Sequence, residues 1–430
     1  MATGPSRTRD QEAGTPRPRS PRAVARQALG RLPKSRAARV FVLVALVDAF
    51  GRGFFLAGST LFYTQVIGLG VGQVGLGLSI AGLCGVACAL PIGRLADRIG
   101  DGPTLIALQL WRAAAFLIYP FVHDFRLFVL VACLVGAVEQ AVGPIIQSVA
   151  GATAEEGSPV ESMALIAVVR NAAYALSAVI ATAVIAMASS GTYVGFVLAN
   201  ALAFLVTAAL LTRLRLPRRS PRRSGHADPG GGRLLPFRNP RFLLLSLANG
   251  ILYLHLSILS VGFPLWIVTR THAPRGLVGV VLMLNTVLAV ALQVRLSKGG
   301  DDLGRAGRKQ RAAGASLALF CVLTAATASL DGVAAGALLV LAAIPLTLGE
   351  LWQSAGGWGI SYGLSPESER TYYLSAYQLG ATGLTVAGPA LLSLAVVGEG
   401  AAGWLGLGAL FALTGLAVPL LSRLGAPAGR

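Results

Sequence analysis

Charge is scarce in this sequence. Only 13% of its 430 residues are Asp, Glu, Lys or Arg, where a soluble globular domain carries about a quarter. So little polar surface excludes a soluble protein of this length. Cysteine is equally sparse: Cys84, Cys88, Cys133 and Cys321 all sit inside apolar segments, without paired spacing or neighbouring histidines. That excludes a disulfide framework or a Cys/His metal centre and leaves them as small packing residues. There is no G-x-x-x-x-G-K-[ST] and no H-E-x-x-H. ATP-driven transport, membrane enzymology and a bound cofactor are therefore not expected.

What the chain has in abundance is apolar length, with 54% hydrophobic residues. Runs of about twenty apolar residues, enough to cross a bilayer core as a helix, recur along it. They fall at Val40–Ile67, Val74–Pro91, Pro103–Val122, Leu127–Ala150, Ser162–Ala188 and Tyr193–Leu214. A second set falls at Phe242–Thr269, Leu277–Leu296, Ala312–Leu330, Val333–Leu364, Thr371–Val397 and Ala402–Leu421. The expected fold is an all-α membrane protein of twelve transmembrane helices.

The net charge of +18 is distributed by side rather than gathered on one face. Arginines crowd the stretch Arg7 to Arg39, the stretch Arg213 to Arg241, and the cluster Arg295, Lys298, Arg305, Arg308, Lys309 and Arg311. The alternate loops hold only Arg126, Arg270 and Arg275. Basic loops stay cytoplasmic, so both termini are expected inside a cell membrane. The same placement explains the charge without nucleic-acid binding. Residues 1–38 read as a disordered basic tail held near lipid headgroups rather than as a signal peptide. Residues 39–214 and 241–422 read as two six-helix bundles, 215–240 as a basic cytoplasmic linker, and 423–430 as a cytoplasmic end.

The two halves carry matching spacings. Asp48 follows Arg39 by nine residues and Asn249 follows Arg241 by eight; Glu139 precedes Glu156, and Glu350 precedes Glu367, by seventeen. Such weak internal symmetry points to a duplication. After the second span the chain reads Gly93-Arg94-Leu95-Ala96-Asp97-Arg98-Ile99-Gly100, taken as a loop. Its glycines allow close helix approach, Asp97 can cap a helix N-terminus, and Arg98 stays cytoplasmic. The octapeptide resembles the signature between helices two and three of the major facilitator superfamily. The resemblance covers nearly the whole chain, from Val40 to Arg423. It implies two pseudo-symmetric bundles around a cavity lined by helices one, four, seven and ten, rocking between inward- and outward-open forms. It further implies a gating role for Gly93, Asp97, Arg98 and Gly100. The signature of the drug-exporting branch, an Arg in helix four and a Gly-Pro pattern in helix five, is missing: span four carries Glu139 instead.

Ionisable groups in mid-membrane cost at least about 2.5–3.5 kcal/mol each, face the bundle interior and usually serve function. Three acids and three bases qualify: Asp48, Glu139 and Glu350, with Arg52, Arg112 and Arg170. Asp48 and Arg52 stand four apart, on one helical face, and are expected to pair. The pair either fixes helix one or releases it when Asp48 is protonated. Glu350, near Trp352, Gln353 and Trp358, can load and release a proton near neutral pH and would suit a lipophilic cation. The alternative is a purely structural pairing with an arginine. Glu139 has the same candidate roles. Arg112 is expected to reach a carboxylate. Arg170 is expected to snorkel toward the cytoplasm or make a gate contact. His255 is either a proton relay or a packing residue, and Asn249 and Tyr253 are further cavity candidates.

The expected function is secondary transport as a monomer, proton-coupled, exporting lipophilic drugs or small-molecule metabolites. Uptake or facilitated diffusion of a nutrient, and a non-transporting membrane sensor or scaffold, stay open beside it.

Overall fold

The computed structural model describes residues 35–154, 158–186, 190–214, 235–394 and 398–423. The basic tail before residue 35, most of the 215–240 linker, Glu156 with its repeat spacing, and the last seven residues lie outside them. Twelve long helices run antiparallel through the described residues. In the first half these are α1 (Arg36–Val66), α2 (Gly72–Ile99), α3 (Asp101–Phe121), α4 (Phe125–Ala152), α5 (Pro159–Ala186) and α6 (Gly191–Thr212). The second half holds α7 (Pro240–Arg270), α8 (Leu277–Ser297), α9 (Leu303–Ser329) and α10 (Gly332–Leu364), then α11 (Arg370–Ser393) and α12 (Ala401–Arg423).

Eleven of the twelve are long and apolar enough to cross a membrane. The other is α11, whose inward face carries Thr371, Tyr372, Ser375, Tyr377 and Thr382, all buried among its neighbours. Elsewhere apolar side chains point outward in number, among them Leu83, Val179, Leu202, Met283 and Leu413, as lipid requires.

Local sequence sets the helix starts. Ser35 accepts from the Ala38 amide at 3.1 Å, Asp124 from Leu127 at 2.8 Å, Asp302 from Arg305 at 2.7 Å, and Asp331 from Ala334 at 2.8 Å. Each satisfies amides that the first helical turn leaves without a partner.

Two boundaries differ from the apolar reading. Pro91 does not end α2, which continues through the Gly93–Ile99 stretch expected as a loop. The turn into α3 is a single residue, Gly100, at φ +100°, a conformation only glycine adopts at little cost. Likewise α9 begins at Leu303 rather than Ala312, so Arg305–Arg311 are helical. In both places the helix runs past the apolar stretch into the polar boundary.

Packing repeats with an offset of six helices. Helix α1 packs on α5 and α6 as α7 packs on α11 and α12; α2 on α4 as α8 on α10; α3 on α6 as α9 on α12. The halves meet through α2 and α4 against α11, and symmetrically through α8 and α10 against α5. Close approach depends on small residues: a Cβ on Gly250 of α7 would meet the Gly380 backbone of α11. Helices α1 and α7 also share a π-helical turn toward their far ends, Phe62–Val66 and Ile258–Gly262. Helix α7 is further interrupted at Leu254, between Tyr253 and His255.

Candidate functional site

One face of the bundle carries the start of α1, the ends of α2 and α8 and their basic residues; the two halves are locked together there. Asp97, at the end of α2, accepts from the Thr371 and Tyr372 amides of α11 at 3.0 and 2.8 Å. The helix that Asp97 caps thus belongs to the other half. Arg94 donates to the Tyr372 hydroxyl at 2.7 Å and lies over its ring. Asp101 accepts from Thr371 Oγ1 and Ser148 Oγ, both at 2.7 Å. Gly93 is buried where a Cβ would stand 2.7 Å from Ser375 Oγ, and Arg98 is exposed. On the symmetric interface Asp301 accepts from the Val160 amide at 3.2 Å. Deeper in, Gln147 donates to Ser361 Oγ at 2.9 Å.

Just inside this seal lies a small cavity of about 60 Å³. Gln147 (α4), Asn249 and Tyr253 (α7), Gln353 and Trp358 (α10) and Gln378 (α11) line it. Gln353 and Gln310 donate to Asn249 Oδ1 at 2.9 and 3.4 Å. Buried amides in this apolar setting hold one another in place.

Beyond the cavity, at mid-membrane depth, the expected charges meet, but not in the expected pairs. Asp48 and Arg52 do not bond each other. Arg112, 1% exposed, places one guanidinium nitrogen 3.2 Å from Asp48 Oδ1 and the other 3.0 Å from Glu139 Oε2. Arg52 pairs with the remaining oxygen of Glu139. The result is a continuous chain, Asp48–Arg112–Glu139–Arg52, running across α1, α3 and α4. The i,i+4 pair fails because neighbouring helices supply each member a closer partner. The expectation for Arg112 holds: it reaches inward, to two carboxylates. Gln109, which sequence reasoning missed, completes the chain; it donates to Asp48 at 3.0 Å and accepts from Arg112 at 2.8 Å. Its position one turn before Arg112 was the available signal. The Phe204 ring lies 3.9 Å beneath the Arg112 guanidinium. Asp48 is 4% exposed, whereas the Arg52 and Glu139 side chains keep 30% and 26% exposure.

Arg170, expected to snorkel or make a gate contact, makes no ion pair among the described residues. It is half-buried in mid-helix on α5, within electrostatic range of Asp48 and Glu139 in its own half and of Tyr253 in the other. Glu350, half-buried on α10, accepts from Asn285 Nδ2 of α8 at 2.8 Å. Among the described residues it makes no ion pair, so the structural pairing with an arginine is not formed. Glu350 also lies within electrostatic range of Tyr253 and His255. His255 is 2% exposed and its Nδ1–H donates to Leu252 O at 2.9 Å, which leaves Nε2 as an acceptor. Trp352, expected beside Glu350, is half-buried two residues along α10.

The arrangement is one a transporter can use: two bundles joined at one face, with partly exposed charge between them at mid-depth. The sequence profile of the Major Facilitator Superfamily matches residues 41–364. No curated protein matches the chain in sequence. Among solved structures, the human organic anion transporter MFSD10 (TETRAN) is similar at 18% identity and a TM-score of 0.61, over 90% of this chain and 99% of that one. A bacterial homologue of the iron transporter ferroportin, in an outward-facing state, is similar at 14% identity and a TM-score of 0.70, over 91% and 99%. The same homologue with soaked iron gives 0.69 at 14% identity, over the same shares. With three quarters of its length matched by the profile, the chain belongs to the Major Facilitator Superfamily, and its twelve helices are those of a multi-pass membrane transporter.

Proposed function

We propose that this protein is a proton-coupled secondary transporter of the cell membrane, working by alternating access and exporting lipophilic compounds or small-molecule metabolites. Both chain ends and the basic face are cytoplasmic in this reading, by the positive-inside rule. The seal of Asp97, Arg94, Asp101 and Gln147 then closes the cytoplasmic side, leaving an outward-facing form. The two bundles divide near residues 214 and 241, joined by the basic linker.

The observation that carries proton coupling is the partner of Glu350. Of the three mid-span carboxylates, Asp48 and Glu139 are each held by arginine. Glu350 is held by the neutral amide of Asn285. A carboxyl without a fixed countercharge can trade its proton for a substrate cation at modest cost, whereas one clamped by a guanidinium cannot. Tyr253, Trp352 and Trp358 give the same region an aromatic lining suited to lipophilic groups. The human neighbour is an organic anion transporter, and an organic cargo fits this aromatic lining better than the iron of the ferroportin homologue does, whichever its charge. Among the described residues no group of three His, Cys, Asp or Glu side chains comes together.

The test is proton movement in inside-out vesicles carrying the full chain, with a panel of lipophilic compounds, comparing wild type with Glu350→Gln. Compound-driven proton efflux in wild type and not in the variant is the expected result. Compounds that cross with no proton movement in either protein would replace coupling by facilitated diffusion. No movement of any compound by correctly inserted protein would favour a sensor or scaffold.

A further inference from the structure

The six mid-membrane charges do not divide evenly. Asp48, Arg112, Glu139 and Arg52 neutralise one another in a chain that closes entirely within the first half. Two charges remain: Arg170 on α5 and Glu350 on α10, one cation and one anion on opposite halves. Helices α5 and α10 pack against each other across the divide, and Tyr253 of α7 feels both charges. Neither makes an ion pair among the described residues, and both are half-buried. In the present conformation both keep part of their surface uncovered by protein. When the cavity occludes, water leaves, and an uncompensated charge in mid-membrane costs several kcal/mol. Something must supply a negative group to Arg170 and a positive group to Glu350 as the halves close.

Resting on the transport reading above, we propose that the substrate is a zwitterion with an apolar, aromatic-sized body. Its anionic group lies against Arg170, its cationic group against Glu350, and its body against Tyr253 and Trp358. Such a molecule carries no net charge into a site whose residual charge is zero, so the filled, closed cavity is neutral. A purely cationic compound would leave Arg170 exposed to a like charge and a purely anionic one would do the same at Glu350. The same geometry couples the proton: a proton on Glu350 and the substrate's cationic group compete for one carboxylate, which is exchange.

Binding tests this without transport. The probes are 4-amino-3-phenylbutanoate, a zwitterion through its alkyl ammonium, its methyl ester, which keeps only the cation, and its N-acetyl derivative, which keeps only the anion. Titration calorimetry on the purified full chain in nanodiscs should give the zwitterion at least about tenfold tighter binding than either derivative. Arg170→Gln should erase the preference over the ester and Glu350→Gln the preference over the N-acetyl form, each by about tenfold. Arg170→Lys should keep the wild-type order, and unchanged melting curves show that the variants are folded. A zwitterion that binds no better than the ester or the N-acetyl form, or does not bind, overturns the proposal. So does a preference that neither variant moves, which would make Arg170 and Glu350 a closing ion pair instead. Loss of proton flux with zwitterion selectivity intact would remove coupling alone, and flux without selectivity would remove only the substrate class.

Discussion

Arg112→Met should be the most damaging single change in the mid-membrane network. The side chain is 1% exposed, and methionine fills much of the same space without the charge. Removing the guanidinium leaves Asp48, itself 4% exposed, with only the Gln109 amide at 3.0 Å. Breaking a buried ion pair by deleting one partner costs about 3–5 kcal/mol, because the other charge stays buried. Loss of the stacking on Phe204, 3.9 Å away, falls within that figure. Arg52→Met is the internal comparison. Arg52 is 30% exposed and Glu139 retains Arg112 at 3.0 Å, so the cost should be about 1 kcal/mol. Asp48→Asn added to Arg112→Met should recover more than about 2 kcal/mol, since a neutral amide needs no countercharge. Unfolding free energies from denaturing-detergent titration in mixed micelles, followed by tryptophan fluorescence, give all three numbers. If Arg112→Met proves no costlier than Arg52→Met, or Asp48→Asn brings no recovery, the pairing scheme is wrong.

Other sites give sharp expectations. Asp97→Asn weakens two charge-assisted bonds to the α11 amides, worth about 1.5–3 kcal/mol each; cysteine labelling at the basic face should rise about tenfold or more, and unchanged labelling would remove Asp97 from the seal. Gly93→Val puts a side chain where even a Cβ comes within 2.7 Å of Ser375 Oγ, so spin-label distances between α2 and α11 should lengthen at that face. Gly250→Ala forces α7 off the Gly380 backbone and should cost about 1–3 kcal/mol, while Gly279→Ala, whose added Cβ meets nothing within 4 Å, should melt within a degree or two of wild type. Gln109→Leu strands buried polar atoms on both Asp48 and Arg112 and should cost about 1–3 kcal/mol by the same titration.

The spans were legible because lipid imposes one blunt requirement, about twenty apolar residues per crossing. Helix ends were not, because hydropathy measures the thickness of the apolar layer and not the length of the helix crossing it. Hence Gly93–Ile99 and Arg305–Arg311 read as loops although hydrogen bonding carries α2 and α9 through them. Asp97 was readable as a cap, but its partner amides lie more than 270 residues away, beyond any local pattern. The charges teach the same lesson more finely. Spacing along one helix fixes which side chains share a face, so Asp48 and Arg52 could be grouped and Arg112 could be sent inward. Which partner each takes is decided by helices that meet only on folding. Arg112 arrives from α3 and takes Asp48; Glu139 arrives from α4 and takes Arg52. What the sequence did hold was the count, three acids against three bases. Folding partitions that balance into a neutral chain inside one half and a split remainder, Arg170 and Glu350, one on each side of the divide. A balanced count is a property of the chain, but a charge divided between two halves exists only in the bundle, and it is there that the proposed substrate would complete it.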